Sequence, residues 1–313
     1  MKTLLVAGAG GHLEELWLLR PRLAGVPGDV VWATPDTPQS RSLLRGEALL
    51  PIPFAHPRDV RATVGITRRA LSILRAERWG AVVSTGPLPA VPFMAMARAM
   101  GIPCHFIESA ARVDGPSLAA RLVACLPGVD CYPQYARWAQ PGWRFRGSVF
   151  DGFAPRPSGV GAVRRAVVTV GSSRYGFRRL VDAVRRLVPG DVDVLWQTGS
   201  TDLADLSIPA RAVLPAADLA GAMAEADLVI AHAGVGSAFM ALRVGKCPVL
   251  VPRRKAHGEH VDDHQHEVAG ILAGAGLAVV AEPATLGPEH LALAAATSVT
   301  AASDLQPFVL ASS

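Results

Sequence analysis

The sequence predicts an α/β protein built from two similar halves, because strand and helix signals alternate along the chain and two segments begin in the same way. In the first segment, an apolar run at residues 2–7 leads into glycines at positions 8, 10 and 11. In the second, a run at residues 165–170 leads into Gly171. Apolar residues then recur at helical spacing in both, which is typical of a strand, a glycine turn and a helix.

Further strand signals extend this plan through each half. They lie at residues 29–33, 81–84 and 102–107 in the first half, and at residues 192–197, 227–231 and 247–252 in the second. Between the halves, residues 151–161 are rich in proline and glycine and are predicted to be a linker. We therefore predict two Rossmann-like domains, residues 1–155 and 163–313, that face each other across a cleft. No function is assigned to residues 294–313.

Composition limits the classes of protein to consider. With 313 residues, half of them hydrophobic, the chain can form two domains that each bury a core. The four cysteines form no CxxC pair, which favours a reducing cytoplasm. The apolar stretches fall short of the ~20 residues that a membrane span needs. We expect a cytoplasmic protein, with a peripheral position on the inner face of the membrane left open.

The net charge of +5 and the pI near 9.4 favour an anionic partner, either a nucleoside diphosphate or an anionic membrane surface. Nucleic acid is not expected, because the arginines are dispersed and no basic stripe is rich in aromatic residues. The segment 60–74 is predicted to be a helix that either lies on a membrane or packs on a sheet with a solvated basic face. Its apolar face is assigned to Val60, Val64, Leu71 and Leu74, and its basic stripe to Arg61, Arg68 and Arg75.

Residues 231–270 hold the densest chemistry, in two turns that follow neighbouring strands. In the first turn, Gly234, Gly236 and Ser237 open a helix directly after His232. In the second, a polar loop at residues 253–263 leads into another helix, with Asp263 as its expected cap. Parallel strands place such loops at one edge of a sheet, where ligands bind, and the free N–H groups of a helix start suit phosphate. Similar starts are predicted at residues 10–12 and 171–173.

Two other chemistries are weighed and set aside. The histidines at positions 257, 260, 264 and 266 suggest a metal site. However, no HExxH pattern is present, and we predict no metal. The early glycines suggest a dinucleotide site. However, Leu13 occupies the position of the third glycine or alanine, and no acidic residue ends the second strand, so we predict no cofactor.

Seven motifs, taken in order, match a known family. In the first half they are GGHLEEL at 10–16, STG at 84–86, FIES at 106–109 and RGSVFD at 146–151. In the second they are VTVGSS at 168–173, ADLVIAHAGVGS at 226–237 and PRRKAHGEHVDDHQ at 252–265. The chain resembles a fused form of the two-subunit N-acetylglucosaminyltransferase of dolichol-linked oligosaccharide synthesis and the related bacterial exopolysaccharide glycosyltransferases. It is also similar, more distantly, to MurG, and this resemblance implies the GT-B fold.

The resemblance implies a metal-independent, inverting glycosyltransferase of polysaccharide biosynthesis. It would move a sugar from a nucleoside diphosphate donor, expected to be a UDP-sugar, to a lipid-linked or other glycoconjugate acceptor. Met240 stands where relatives have a glutamate that grips the ribose of the donor. Two alternatives stay open: a sugar-nucleotide epimerase on the same fold, and a non-catalytic nucleotide-sugar-binding subunit, which Met240 motivates.

The resemblance, together with the positions of Glu14 and Glu108 in the sequence, suggests roles for residues. His12 is the candidate base, or else a phosphate ligand; Glu14 and Glu108 are further catalytic candidates, with purely structural roles as the alternative. His264 and Gln265 are expected to bind the sugar and diphosphate of the donor. The loop for the acceptor or a phosphate comprises Gly10, Gly11, Thr85 and Gly86. The full donor-binding set is Gly171, Ser172, Ser173, His232, Gly234, Gly236, Ser237, Arg253, His257, Glu259, His260, Asp263, His264 and Gln265.

Overall fold

The computed structural model describes residues 1–54, 60–138, 141–159 and 161–310. The chain forms two compact units. The first comprises Met1–Asp151 together with the segment that starts at Asp304, and the second comprises Gly152–Ser303. Each unit carries a parallel six-stranded sheet. The predicted fold class, α/β with two Rossmann-like domains, is confirmed.

The first unit alternates strands and helices along most of its length. Its strands are β1 (Lys2–Ala7), β2 (Leu23–Ala24), β3 (Val30–Pro35), β4 (Leu49–Ile52), β5 (Trp79–Gly86), β6 (Cys104–Ile107) and β7 (Val129–Tyr132). Its helices are α1 (Gly11–Leu19), α2 (Pro38–Leu43), α3 (Val60–Ala76), α4 (Ala90–Ala99) and α5 (Leu118–Ala124). The strand order in the sheet is β4-β3-β1-β5-β6-β7, so successive strands are added on one side of β1 up to β4 and on its other side from β5 onward. The order therefore reverses between β1 and β5. Ligands of such sheets bind at the carboxyl ends of the strands beside this reversal.

The second unit repeats the plan. Its strands are β8 (Phe153–Pro157), β9 (Arg165–Thr169), β10 (Asp193–Gln197), β11 (Ala210–Arg211), β12 (Leu228–His232), β13 (Val249–Val251), β14 (Val279–Val280) and β15 (Thr297–Ala301). Its helices are α6 (Arg178–Leu187), α7 (Ala216–Glu225), α8 (Val235–Arg243), α9 (His264–Gly274) and α10 (Pro288–Ala295). The order β11-β10-β9-β12-β13-β14 reverses between β9 and β12. The glycine turns after β9 and β12 therefore lie at the reversal.

The domain boundaries differ from the prediction at two places. Residues 153–157, expected in a linker, form β8, which pairs antiparallel with β15. The last strand, β16 (Phe308–Val309), pairs with β2 in the first unit, although residues 163–313 were assigned to the second. Phe308 is fully buried there and its ring meets that of Tyr132 at 5.8 Å. A two-residue strand has no periodicity, so the sequence carried no signal for this return.

Helix α3 forms as predicted, but its buried face matches the predicted one only in part, at Leu74. The residues that enter the core are Ile66, Ala70, Ile73 and Leu74, whereas Val64 is 48% exposed. Arg68 and Arg75 are exposed as expected, and the side chains of Val60 and Arg61 lie outside the described residues. Across the described ranges, no helix is both long and apolar enough to cross a membrane.

Candidate active site

His12 lies in the first turn of α1 and is tied to the end of β5. Its Nδ1 lies 2.8 Å from the carbonyl oxygen of Thr85, and the hydroxyl of Thr85 donates to the carbonyl of His12 at 2.7 Å. Because a carbonyl can only accept, Nδ1 must carry the proton in this contact. In a neutral ring this leaves the lone pair on Nε2, which is the form that a general base requires.

The electrostatic surroundings keep this ring neutral. Burial is the main cause that lowers the pKa of His12 below its usual value of 6.5, and the charge of Arg112 lowers it further. The hydrogen bond to Thr85 acts in the opposite direction but does not outweigh them. His12 is therefore able to accept a proton at neutral pH.

A cavity of about 160 Å³ gathers several residues that the sequence singled out. Predicted residues in its wall are His12, Thr85, Gly86 and Glu108. Gly86 has φ +86°, a left-handed conformation that favours glycine, and brings the end of β5 under the His12 ring. The remaining lining residues are Pro87, Phe106, Ser109, Ala111, Arg112 and Ser117. The turns after β1 and β5 thus form one pocket at the sheet reversal of the first unit.

The glycines ahead of His12 start α1 as predicted. Gly10 is the N-cap residue and has φ +87°. Its N–H donates to Oε1 of Gln39 at 2.7 Å, and the amide of Gln39 donates back to the Gly10 carbonyl at 3.1 Å. The Gly10 N–H is thereby used within the protein, so Gly11 and His12 supply the N–H groups at this helix start.

The two predicted carboxylates differ in position. Glu108 lines the cavity; it accepts from the N–H of Ser109 at 2.9 Å and from that of Ser117 at 2.7 Å. Burial raises the pKa of Glu108 in spite of these hydrogen bonds. Glu14 is buried in the first turn of α1. The structure therefore places Glu108, and not Glu14, in the wall beside His12.

Sequence reasoning missed a third carboxylate, Glu15. It is 1% exposed, its Oε1 accepts from the Ser109 hydroxyl at 2.8 Å, and its Oε2 is buried with no partner among the described residues. Burial is the main cause that raises the pKa of Glu15 to about 8, and the charges of Glu108 and Glu14 add to it. Glu15 is three residues after His12 on one helix, so helical spacing was the signal that could have identified it.

In the second unit, His232 packs between two glycine turns. A Cβ placed on Gly171 would lie 2.5 Å from this ring, and one placed on Gly234 would lie 2.3 Å from its Nε2. Its Nδ1 lies 3.5 Å from the hydroxyl of Ser237. Burial, with the charge of Arg253 next, lowers the pKa of His232 to about 3, so the ring is neutral. The predicted turns after β9 and β12 therefore both pack against the ring of His232.

The helix expected directly after the turn of Gly171, Ser172 and Ser173 starts later. α6 begins at Arg178, where the N–H of Phe177 donates to the hydroxyl of Thr201 at 3.0 Å. Gly171, with φ +74°, lies at the start of the loop between β9 and α6 and does not cap a helix. The prediction of a helix N-terminus at residues 171–173 was wrong. The start at Val235, after Gly234, was right.

Arg253 and Glu259, both predicted to bind the donor, have structural partners. Arg253 is fully buried and donates to the carbonyls of Val170, Tyr175, Gly176 and Glu259 at 2.7–3.1 Å. The carboxylate of Glu259 accepts hydrogen bonds from Nε and from one terminal nitrogen of Arg179, each at 2.8 Å. Burial lowers the pKa of Arg253 to about 10, so it stays charged. Since its two terminal nitrogens donate to carbonyls of both loops, Arg253 fixes the loops after β9 and β13.

The remaining loop residues lie around the start of α9. Asp263 is the N-cap residue but its side chain does not cap the helix; it accepts instead from the N–H of Lys255 at 2.9 Å. The Oε1 of Gln265 accepts from the N–H of Arg253 at 3.2 Å, and His257 is exposed in the preceding turn. The start of α9 thus presents His264 beside a buried Gln265.

Asp262 joins two histidines of this loop. Its Oδ1 lies 2.9 Å from Nδ1 of His260 and also contacts Nδ1 of His264. Burial raises the pKa of Asp262, but His264 and His260 outweigh it, so the net direction is downward. Sequence reasoning included both histidines in the donor set and did not single out Asp262.

Met240 lies in α8 and is partly buried against an apolar cluster that includes Val167, Met223 and Val229. A thioether suits this environment but is a weak acceptor for ribose hydroxyls. The structure therefore gives a packing reason for the residue that replaces the expected glutamate.

Comparison with known proteins agrees with this architecture. Residues 165–306 match the model of the glycosyltransferase family 28 C-terminal domain. A Xanthomonas oryzae protein named UDP-N-acetylglucosamine–N-acetylmuramyl-(pentapeptide) pyrophosphoryl-undecaprenol N-acetylglucosamine transferase is 30% identical over 88% of this chain and 67% of its own length. The UDP-N-acetylglucosamine transferase subunit ALG13 of Yarrowia lipolytica is 54% identical over 52 residues, 17% of this chain and 24% of its own.

A solved structure, that of MurG from Acinetobacter baumannii, has a TM-score of 0.55 at 23% identity and covers 93% of this chain and 88% of its own. At this identity the likeness concerns the fold. Fold and site together define a glycosyltransferase of the GT-B class. The chain belongs to the family of the MurG-type N-acetylglucosaminyltransferases, as the match to the Xanthomonas protein shows.

Proposed function

We propose that the protein transfers a sugar from a UDP-sugar to a lipid-linked acceptor, with His12 as the base. This assignment rests on one observation. The His12 ring is neutral, and its Nδ1 proton is donated to the carbonyl of Thr85. Its Nε2 would take the proton of the acceptor hydroxyl. The hydroxyl oxygen then forms the bond to the anomeric carbon while the bond to the diphosphate breaks, and the diphosphate leaves with the electron pair. A single displacement of this kind inverts the anomeric centre.

The donor side of the proposal rests on the helix starts of the second unit. α8 begins directly after Gly234, and α9 begins at His264. Each helix start carries roughly half a positive charge and free N–H groups, which stabilise the charge that develops on a departing diphosphate. His264 and Gln265 are the proposed side-chain contacts to the donor. With this stabilisation in place, we expect transfer to require no divalent cation.

We also propose that the first unit binds the anionic surface in which a lipid-linked acceptor resides. Leu118 and Leu122 lie one turn apart on α5 and are 70% and 49% exposed, with the exposed Arg121 between them. α4 packs against both α5 and α3, and α3 exposes Val64, Arg68 and Arg75. Exposed apolar residues interspersed with arginines suit an anionic interface.

The test is incubation of the purified chain with a panel of nucleotide sugars and a membrane lipid extract, with and without EDTA. Labelled lipid and converted free sugar nucleotide are scored separately. We expect labelled lipid with one donor, at the same rate in EDTA. Conversion of donor without acceptor would indicate the epimerase, and donor binding without either product would indicate a non-catalytic binding subunit. Either outcome contradicts the proposal.

A further inference from the structure

The loop between β13 and α9 brings three side chains that commonly ligate metals into one group. His260, Asp262 and His264 each offer a ligand atom, and these atoms lie within 4.8 Å of one another. The two imidazole rings meet edge to face with centroids 4.9 Å apart. Among the residues that the structure describes, this is the one such group of three.

The contacts within the group require either protons on the imidazole nitrogens or a cation at its centre. A single oxygen, Oδ1 of Asp262, faces Nδ1 of His260 at 2.9 Å and Nδ1 of His264 as well. A carboxylate oxygen repels an imidazole lone pair, so each contact requires either a proton on the ring nitrogen or a cation held between the atoms. One divalent cation would satisfy both contacts at once.

We propose that His260, Asp262 and His264 form a binding site for a divalent cation of borderline softness, with Zn²⁺ as its representative. Two imidazoles and a carboxylate are ligands that Zn²⁺ takes at about 2.0–2.2 Å. Hard cations such as Mg²⁺ and Ca²⁺ prefer all-oxygen sites and are expected to bind weakly. The neighbouring carboxylates have other partners: Glu259 pairs with Arg179, and Asp263 with the Lys255 N–H.

The site is accessible to an ion from solution. The side chains of His260, Asp262 and His264 are 20%, 47% and 30% exposed. Three protein ligands on an exposed loop leave the fourth tetrahedral position to water or to an external ligand. The exposure of the rings allows the small rotations that adjust the spacing of the ligand atoms around a bound ion.

Binding of the ion would affect transfer, and this second step rests on the proposed function. His264 is the proposed contact to the donor, so an ion on His264 withdraws this side chain from the nucleotide. We expect Zn²⁺ to lower the transfer rate, and EDTA to restore it. Zn²⁺ is in this respect a regulator, and not a requirement, of the enzyme.

The direct test is a titration of the metal-stripped full chain with Zn²⁺ in competition with a chromogenic chelator, without donor or acceptor. All samples carry Cys125→Ser, because the exposed thiol of Cys125 would bind Zn²⁺ independently. We expect one saturable equivalent, and at least about tenfold weaker binding in His260→Ala and in Asp262→Asn. Co²⁺ in place of Zn²⁺ should give the visible absorption of a tetrahedral site.

His266→Ala is the matched control, because His266 is on the same helix but outside the group. It should bind Zn²⁺ as the parent does, and circular dichroism should show all variants folded. Absence of a saturable equivalent, or equal affinity in the parent and Asp262→Asn, would overturn the site. Since this titration needs no substrate, a failure of the proposed transferase activity is recognised separately. Unchanged transfer at saturating Zn²⁺ would overturn the regulatory step alone.

Discussion

At the scale of single residues, the orientation of His12 is fixed by the backbone of a distant turn. Thr85, 73 positions away, accepts the Nδ1 proton and returns a hydrogen bond from its own hydroxyl. This double contact selects the tautomer and holds the ring at the cavity wall. The proposed base therefore does not need a carboxylate to orient it.

Replacing His12 with alanine should remove the base and leave the donor site in place. We expect a loss of transfer of about 10²–10⁴-fold, the range for general base catalysis, with donor affinity nearly unchanged. Radiolabel transfer and equilibrium dialysis of the donor measure the two effects. His290→Ala, in α10 of the second unit, serves as the control. A parallel loss of donor affinity would show that His12 is a phosphate ligand.

The pH dependence of transfer should report the lowered pKa of His12. A base is active when it is unprotonated, so the rate falls only when the pH drops through this pKa. Because burial and Arg112 hold the pKa below 6.5, the acid limb of kcat/KM should lie below pH 6.5. A limb at or above pH 6.5 would contradict the assignment.

Glu15 should make the protein less stable as the pH rises. Its pKa is raised to about 8 in the folded state, from 4.5, so the folded state binds more protons between these values. The full stability is therefore present below pH 4.5 and is lost progressively up to pH 8, with a slope of at most about 1.4 kcal/mol per pH unit. Glu15→Gln should flatten this dependence in urea unfolding curves. An unchanged curve would mean that Glu15 is ionised in the folded protein.

At the scale of elements, the start of α8 depends on the space beside His232. Gly234→Ala would place a Cβ 2.3 Å from Nε2 of this ring and force the ring to move. We expect a loss of about 1–3 kcal/mol of stability, the range for overpacking, together with weaker donor binding. Gly236→Ala, two residues on, meets nothing within 4 Å and is the steric control for thermal unfolding. Equal unfolding temperatures in the two variants would contradict this explanation.

The elements that the sequence predicted well are those whose signal is local. The central strands β1, β9 and β12 are buried apolar runs that end in glycine turns, and all were predicted within a few residues. The start of α6 was not predicted correctly, because it is fixed by the side chain of Thr201, 24 positions after Phe177. The buried face of α3 was predicted only in part, since contacts with the neighbouring α4 also determine which side of α3 is covered.

The candidate site could be predicted as a set of separate turns but not as an assembly. Residue types and motifs indicated His12, Glu108 and the turn at Thr85, and the structure brings these into one cavity. Burial decided the rest. It raised the pKa of Glu15, which the sequence did not single out. Arg253, which the sequence assigned to donor binding, is buried and donates to backbone carbonyls.

At the scale of the whole molecule, exposed leucines should govern attachment to the membrane. Leu118→Ser with Leu122→Ser removes two apolar side chains, each worth roughly 1.5–3 kcal/mol when fully buried. We expect at least about tenfold weaker binding to vesicles that contain anionic lipid, and no change in donor affinity. Vesicle sedimentation measures the first and dialysis the second. Met100→Ser, an exposed residue that follows α4, is the control. Undiminished binding by the double variant would contradict the proposed surface.

The return of the chain to its first unit makes the second unit an insertion. The two connections run side by side, with the Ala302 N–H donating to the Gly152 carbonyl at 3.0 Å. A fragment of residues 152–303 could therefore be excised with its ends already adjacent. Halving the gene at codon 152 alone would instead leave Leu23 without Phe308, its strand partner. Anyone who wishes to express the halves separately must graft the tail back onto the first piece.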